Sequence, residues 1–179
     1  MDVVDDGINW EMLLPTILKG RARTAVTQRL RRVFWAAYCK EMFRQMHASY
    51  LRRALYDDDP DLGGWNVLAK STIKKKQALA NRGVISSKNV YRINIRTERL
   101  IKSYTPGETV GDAYVKGHPE QNAVVSNGEI TVGTNVPYAK HVTRLRPLFK
   151  EIPARWVALA VQKGCEAITP LILENRRSG

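Results

Sequence analysis

Histidine, cysteine and carboxylate side chains are where metal binding, proton transfer and nucleophilic attack begin, and this chain spaces them poorly for any of the three. None of His47, His118 and His141 stands at a ligand spacing from a second histidine or a cysteine, so no metal site is expected. The acids gather in the first residues and in Asp57, Asp58, Asp59 and Asp61, which leaves no carboxylate pair poised for hydrolysis. The run from Asp57 to Gly64 has the composition of a calcium loop, yet its paired glycines and the missing carboxylate near the twelfth loop position do not fit an EF-hand. A solvated acidic linker is expected there instead. No Gly-x-Ser-x-Gly elbow, phosphate loop or dinucleotide fingerprint occurs. Catalytic residues and cofactors are therefore not expected, and the chain is not read as an enzyme. Cys39 and Cys165 each fall in a helix-like apolar pattern, which predicts buried thiols in a reducing compartment.

The informative chemistry is cationic. The chain has 179 residues with 29 Lys and Arg against 17 Asp and Glu, a net charge of +12. Ten of the basic residues lie between Lys19 and Arg53, where Glu41 is the single acid. A solvated helix face usually mixes both signs, so an electrostatic docking surface is expected, with Arg21, Arg23, Arg29, Arg31, Arg32, Arg52 and Arg53 as its candidates. Phosphates and acidic proteins are held by the same side chains. No helix-turn-helix, zinc-finger or RNA-binding signature accompanies the segment, which disfavours sequence-specific reading of nucleic acid.

The elements that must carry these residues follow from periodicity. The length suits one domain, and 44% hydrophobic residues argue against wholesale disorder. The apolar runs are broken by charge, as at Arg31, Arg32 and Lys40, so no membrane span is expected, and the acidic start MDVVDDGINW is unlike a secretory signal. Residues 1–23 read as an arm or short helix, its apolar run from Ile8 to Leu18 interrupted by Pro15. Residues 24–56 lack glycine and proline and read as one long basic helix of roughly 50 Å. Val26, Leu30, Val33 and Ala37 share one face of it, and Met42, Met46 and Tyr50 another. That is more helix than a domain of this size is expected to cover alone, so the second face packs either on its own chain or on a neighbouring subunit. After the linker, 57–64, a shorter helix with a basic end is expected over Trp65 to Ala80, then a half-buried strand over Val90 to Ile95 and a helical turn within Arg96 to Tyr104. Asn127-Gly128 between Ala123–Val125 and Ile130–Val132 predicts a hairpin. A last helix starts at Pro153 and runs towards Ile168, with Pro170 ending or kinking it; the α+β domain is 65–174 and 175–179 form a flexible tail. The fold class is α+β: a long amino-terminal helix, a small mainly antiparallel sheet with a hairpin, and a carboxy-terminal helix packed on the sheet.

Across residues 65–170 a set of motifs stands in a telling order. Trp65, Leu68, Thr72 and Lys75 or Lys76 form a Trp-x-x-Leu-x-x-x-Thr-x-x-Lys start. Arg96, Thr97, Leu100 and Ser103 fit Arg-Thr-Gly-x-Leu-x-x-Ser, with Glu98 at the glycine. Val132-Gly133-Thr134 and Tyr138-Ala139 follow, with His141 one position early, and Ile152-Pro153-Ala154-Arg155 opens the final helix, Trp156-Val157 replacing Pro-Phe; Arg146-Pro147-Leu148-Phe149 is a rival alignment for that last motif. This order resembles the tailed-bacteriophage virion-morphogenesis or tail-completion family, the small neck proteins that join head and tail. The resemblance implies a structural virion protein, assembled in the host cytoplasm into a homo-oligomeric ring, hexamer favoured over dodecamer, at the head–tail neck or tail end. Implied partners are connector or adaptor proteins and tail-tube proteins, with non-specific contact between the basic helix and genomic DNA in the channel, and no membrane. Met42, Met46, Tyr50, Tyr138 and Arg96 are then the candidate subunit interface, and Arg96 and Arg155 are placed to pair with carboxylates of an adjacent subunit. Read locally, Trp65 and Leu68 are core residues clamping the short helix to the sheet, and His141 is structural. The competing class is a nucleic-acid-binding protein using residues 19–53.

Overall fold

The computed structural model describes residues 4–5, 22–95, 98–126, 129–145, 149 and 151–177. Uninterrupted by glycine or proline, Ala22–Ala54 forms helix α1, 33 residues and about 50 Å long. Helix α2 is Lys70–Asn81, followed by a single 3-10 turn at Ser87–Asn89 and the short helix α3, Arg99–Lys102. Strands β2, Glu108–Val110, and β3, Ala113–Val115, form a ribbon turned at Gly111, whose φ of +58° the tight connection requires. Strands β4, Gln121–Ser126, and β5, Glu129–Thr134, pair antiparallel from Gln121↔Thr134 to Ser126↔Glu129. That register leaves two residues for the connection, Asn127 and Gly128, themselves outside the described residues. Strand β1, Val4–Asp5, adds to the free side of β5. Helices α4, Ala139–Leu145, and α5, Ala154–Arg177, complete an α+β fold.

The long helix covers itself with its own chain. Helix α5 lies along it, and the β2–β3 ribbon, α3 and β5 close the remaining sides. The approach of α5 is set by Gly164, where a Cβ would fall 2.9 Å from Phe34 Cζ and nearer still to Cε2 and Cδ2. On the ribbon side, Tyr114 stacks on Phe43 with centroids 6.0 Å apart and planes 5° from parallel. Leu30, Phe34, Met42, Met46 and Tyr50 are all within 3% of complete burial, so both apolar faces of α1 are satisfied inside one copy. Against the expectation of no such segment, α5 is long and apolar enough to cross a membrane by length and composition, with Lys163 and Glu166 interrupting its apolar run. Its buried stripe, Trp156, Ala160, Gly164 and Ile168, recurs every fourth residue and faces the core.

Several local expectations are corrected. Val90 to Ile95 form turns and no strand. Val90, Ile93 and Ile95 are buried, but Asn94 sits at φ +55°, and the backbone finds partners other than a ladder: Ile93 N–H donates to Ala54 O at 3.0 Å, and Tyr50 Oη to Asn94 O at 2.9 Å. Helix α2 begins at Lys70, later than expected, because Trp65 and Leu68 are committed to the core beneath the end of α1 before the helix starts. Trp65 is clamped to α1 and not to the sheet, meeting Tyr50 edge-on at 5.1 Å. The acidic linker is folded: Asp59 is buried, its Oδ1 accepts the N–H groups of Asp61 and Leu62 at 3.0 Å each, and Gly63, at φ +66°, closes the loop onto Asp59 O at 2.8 Å. Helix α5 runs through Pro170 to Arg177, past the expected break and into the expected tail. Beside the proline, Thr169 Oγ1 donates back to Cys165 O at 2.8 Å. Cys39 is buried as expected, whereas Cys165 is exposed on α5. The expected arm, residues 1–23, lies outside the described residues except for β1 and the first turn of α1.

Candidate functional site

Five aromatic rings gather the ends of distant elements. Trp65 meets Tyr50, Tyr50 lies 6.1 Å from Tyr104, Tyr104 5.4 Å from Phe149, and Phe149 5.9 Å from Trp156. The end of α1, the approach to α2, the residues after α3 and the first turn of α5 thus share one centre, with three edge-to-face contacts and one tilted pair, Tyr50 and Tyr104, fixing their mutual angles. Asp61 ties the acidic loop to it, its Oδ2 accepting Trp156 Nε1 at 2.7 Å and Arg155 Nη2 at 2.8 Å. Arg155 therefore finds its carboxylate in its own chain and not on a neighbour.

On the outer side of this centre lies an open groove of about 740 Å³. Thr72, Lys75, Lys76 and Leu79 of α2 form one wall; Leu68, Leu100 and Ile101 line its apolar floor, and Tyr138 and Val142 flank it at α4. The Lys76 ammonium donates to Arg92 O at 2.5 Å and Ile95 O at 2.9 Å, and burial lowers its pKa to about 8. Glu98 also borders the groove. Its backbone is left-handed, φ +63°, at the position where the motif carries glycine. Lys88 Nζ at 2.9 Å, Asn89 Nδ2 at 3.2 Å and Lys102 Nζ at 3.5 Å hold its carboxylate and lower its pKa to about 2. The spacing at this position is preserved by a backbone that a glycine adopts freely and that this glutamate adopts with local support.

Of the motif residues, Leu68, Thr72, Lys75, Lys76, Leu100 and Tyr138 line the groove. Trp65, Leu68, Leu100, Ser103 and Ala139 are buried, Ser103 Oγ donates to Leu100 O at 2.6 Å, and Thr72 and Tyr138 line the groove. Pro153 opens α5, its carbonyl accepting Trp156 N–H at 2.9 Å. Gly133 lies in β5, away from the groove, and His141 is exposed on α4. Arg96 and Thr97, together with the Arg146-Pro147-Leu148 part of the rival alignment, lie outside the described residues. Met42, Met46 and Tyr50 are corrected as interface candidates, since each is buried in its own chain.

The cationic surface is smaller than the sequence suggests. Arg31 and Arg52 are exposed. Arg29 Nε and Arg32 Nη2, also exposed, share Asp112 at 3.3 and 3.6 Å, which halves the charge they present together. Arg44 is held bidentately by Glu41, at 2.6 and 2.8 Å. Arg53 is buried, its guanidinium 4.4 Å from the centroid of Trp65, and does not belong to the surface. Arg21 lies outside the described residues, and Arg23 falls in the first turn of α1.

Sequence reasoning missed the roles of Asp59, Asp61 and Asp112, and named Lys76 only as a motif residue without its backbone partners. Asp-Pro-Asp-Leu-Gly-Gly does carry the signal of an Asx turn, in which a side-chain oxygen takes the place of a backbone acceptor. The partners of Lys76 and Asp112 are separated from them by long stretches of chain and carry no local signal. Among the described residues, no three histidine, cysteine, aspartate or glutamate side chains come together as a metal site would need. No family model, no curated protein and no solved structure matches the chain.

Proposed function

We propose that this chain is a structural virion protein, one subunit of a homo-oligomeric ring at the phage head–tail neck or tail end, acting in tail completion or head–tail joining. One observation supports the reading above others: Leu68, Thr72, Leu100 and Tyr138, from three of the motifs and some seventy positions apart, line one groove. Leu68 and Leu100 form part of its floor and Tyr138 flanks it, Trp65 packs edge-on against Tyr50, Arg155 pairs with Asp61, and Glu98 takes the backbone shape of the motif glycine. An assembly of this kind needs rigid subunits with exposed docking grooves and no reaction centre. In a ring, Arg29, Arg31, Arg32 and Arg52 on the open side of α1 would face an acidic neighbour or the DNA.

The exposure of those arginines also favours a second reading, a protein that holds nucleic acid through residues 19–53. Light scattering on the nuclease-treated protein at low and moderate salt separates the two. A discrete hexameric or dodecameric mass without DNA is expected. A monomer that binds DNA with an affinity falling steeply as salt rises would replace the ring by the second reading.

A further inference from the structure

Lys76 is set where a lysine does not hold its charge easily. It lines the groove half-buried, among the apolar side chains of Leu68, Leu79, Leu100, Ile101 and Val142. No carboxylate among the described residues pairs with it, and its two hydrogen-bond partners, Arg92 O and Ile95 O, are neutral. The titratable groups that border the groove with it are Lys75, Glu98 and Tyr138. Glu98 is committed to Lys88 and Lys102, and Lys75, the preceding residue on α2, brings a second positive charge. Burial without a counter-charge favours the neutral amine and draws the pKa down to about 8. About one-tenth of the copies then carry a free amine at pH 7, against less than about a thousandth for an ordinary lysine.

The neutral amine keeps both backbone partners. Its two N–H groups donate to Arg92 O and Ile95 O, and its lone pair takes the remaining direction, so the carbonyls that anchor the ammonium also hold the nucleophile in place. What the groove adds is room and an apolar surface: about 740 Å³, within the range of small-molecule sites. Thr72, one turn before Lys76 on α2, and Lys75 are hydrogen-bond donors that line the same groove and suit a carbonyl oxygen. A ligand matched to these groups has an electrophilic carbonyl at one end and an apolar body at the other.

We propose that the groove takes an apolar aldehyde and that Lys76 holds it covalently as an imine. The amine lone pair forms a bond to the carbonyl carbon and the C=O π pair moves to oxygen; both amine protons then leave with that oxygen as water. The step needs no oxidant or reductant, and water reverses it. Protonated, the imine keeps one N–H to donate to a carbonyl. This is capture and not turnover, and it stands or falls independently of the ring reading.

The probe is hexanal, with glycolaldehyde as its polar counterpart. Each is added to the full chain at pH 7 with cyanoborohydride, which fixes an imine as a secondary amine, and sites and rates are read by peptide mass spectrometry. Among the lysines, Lys76 is expected to react with hexanal about tenfold or more faster than Lys75, from its larger share of free amine. With glycolaldehyde that preference is expected to fall about fivefold or more, because no apolar body is left to bury. Lys76→Arg keeps donors for both carbonyls but has no attacking amine, and is expected to lose the fast site while Lys75 reacts as before. A Lys76 no faster than the other lysines overturns the covalent site. A fast Lys76 that treats the two aldehydes alike overturns the apolar ligand. Both decisions are read on the wild-type protein, so they hold even if Lys76→Arg does not fold.

Discussion

At the scale of single residues, the groove and its supports make two sharp predictions. Glu98 is held ionised by Lys88, Asn89 and Lys102, and its folded pKa of about 2 lies below the ordinary carboxylate value. A carboxyl whose pKa is depressed by folding adds stability that is complete above its unfolded pKa and is lost as pH falls towards the folded one. Glu98→Gln is therefore expected to melt below the wild type at pH 7, with the difference shrinking between about pH 4.5 and pH 2, as followed by thermal unfolding across that range. Asp61 is the second case. Asp61→Ala leaves the Trp156 indole N–H without its acceptor in a buried position and is expected to cost about 1–3 kcal/mol in denaturant unfolding, whereas Asp61→Asn keeps an acceptor and recovers part of that loss. Neither role was legible in the sequence, where Asp61 is one acid in an acidic run and Glu98 simply departs from a motif. What decides them is a partner 95 residues away in one case and a backbone dihedral in the other.

At the scale of elements, the sequence is most legible where periodicity is long. The extent of α1, the start of α5 and the Asn-Gly hairpin were all readable, because each is specified by neighbours in the chain. Val90 to Ile95 misled because apolar residues alternate in a tight turn as well as in a strand, and here the end of α1 supplied the hydrogen bonds that a ladder would have supplied. Pro170 misled because a helix already packed along α1 tolerates one missing N–H. The α1–α5 seam itself makes a prediction. Gly164→Ala puts a methyl group into the Phe34 ring and is expected to destabilise the fold by about 1–3 kcal/mol, lowering the melting temperature by roughly 2–12 °C. Phe34→Leu in the same background is expected to return part of the loss, measured by a double-mutant cycle.

At the scale of the whole molecule, the α+β architecture followed from the order of patterns, but the partition between core and surface did not. Composition shows ten cations over the first long segment without revealing that Arg53 is buried against Trp65 or that Asp112 serves two arginines. On α1 the charge available to a partner is consequently carried by Arg31, Lys40 and Arg52, with Arg29 and Arg32 half compensated. Should the protein bind DNA, Arg31→Ala and Arg52→Ala are each expected to lower the salt slope of binding by about one, and Arg53→Ala is expected to lower stability while leaving the slope unchanged.

The two cysteines are chemically unequal. Burial pushes the Cys39 thiol up to about 12, out of reach of thiol reagents at neutral pH, while Cys165 stands in solvent on α5. The native chain thus accepts one maleimide dye per copy without any engineering. Counting photobleaching steps on single labelled assemblies would then report directly how many subunits each one holds.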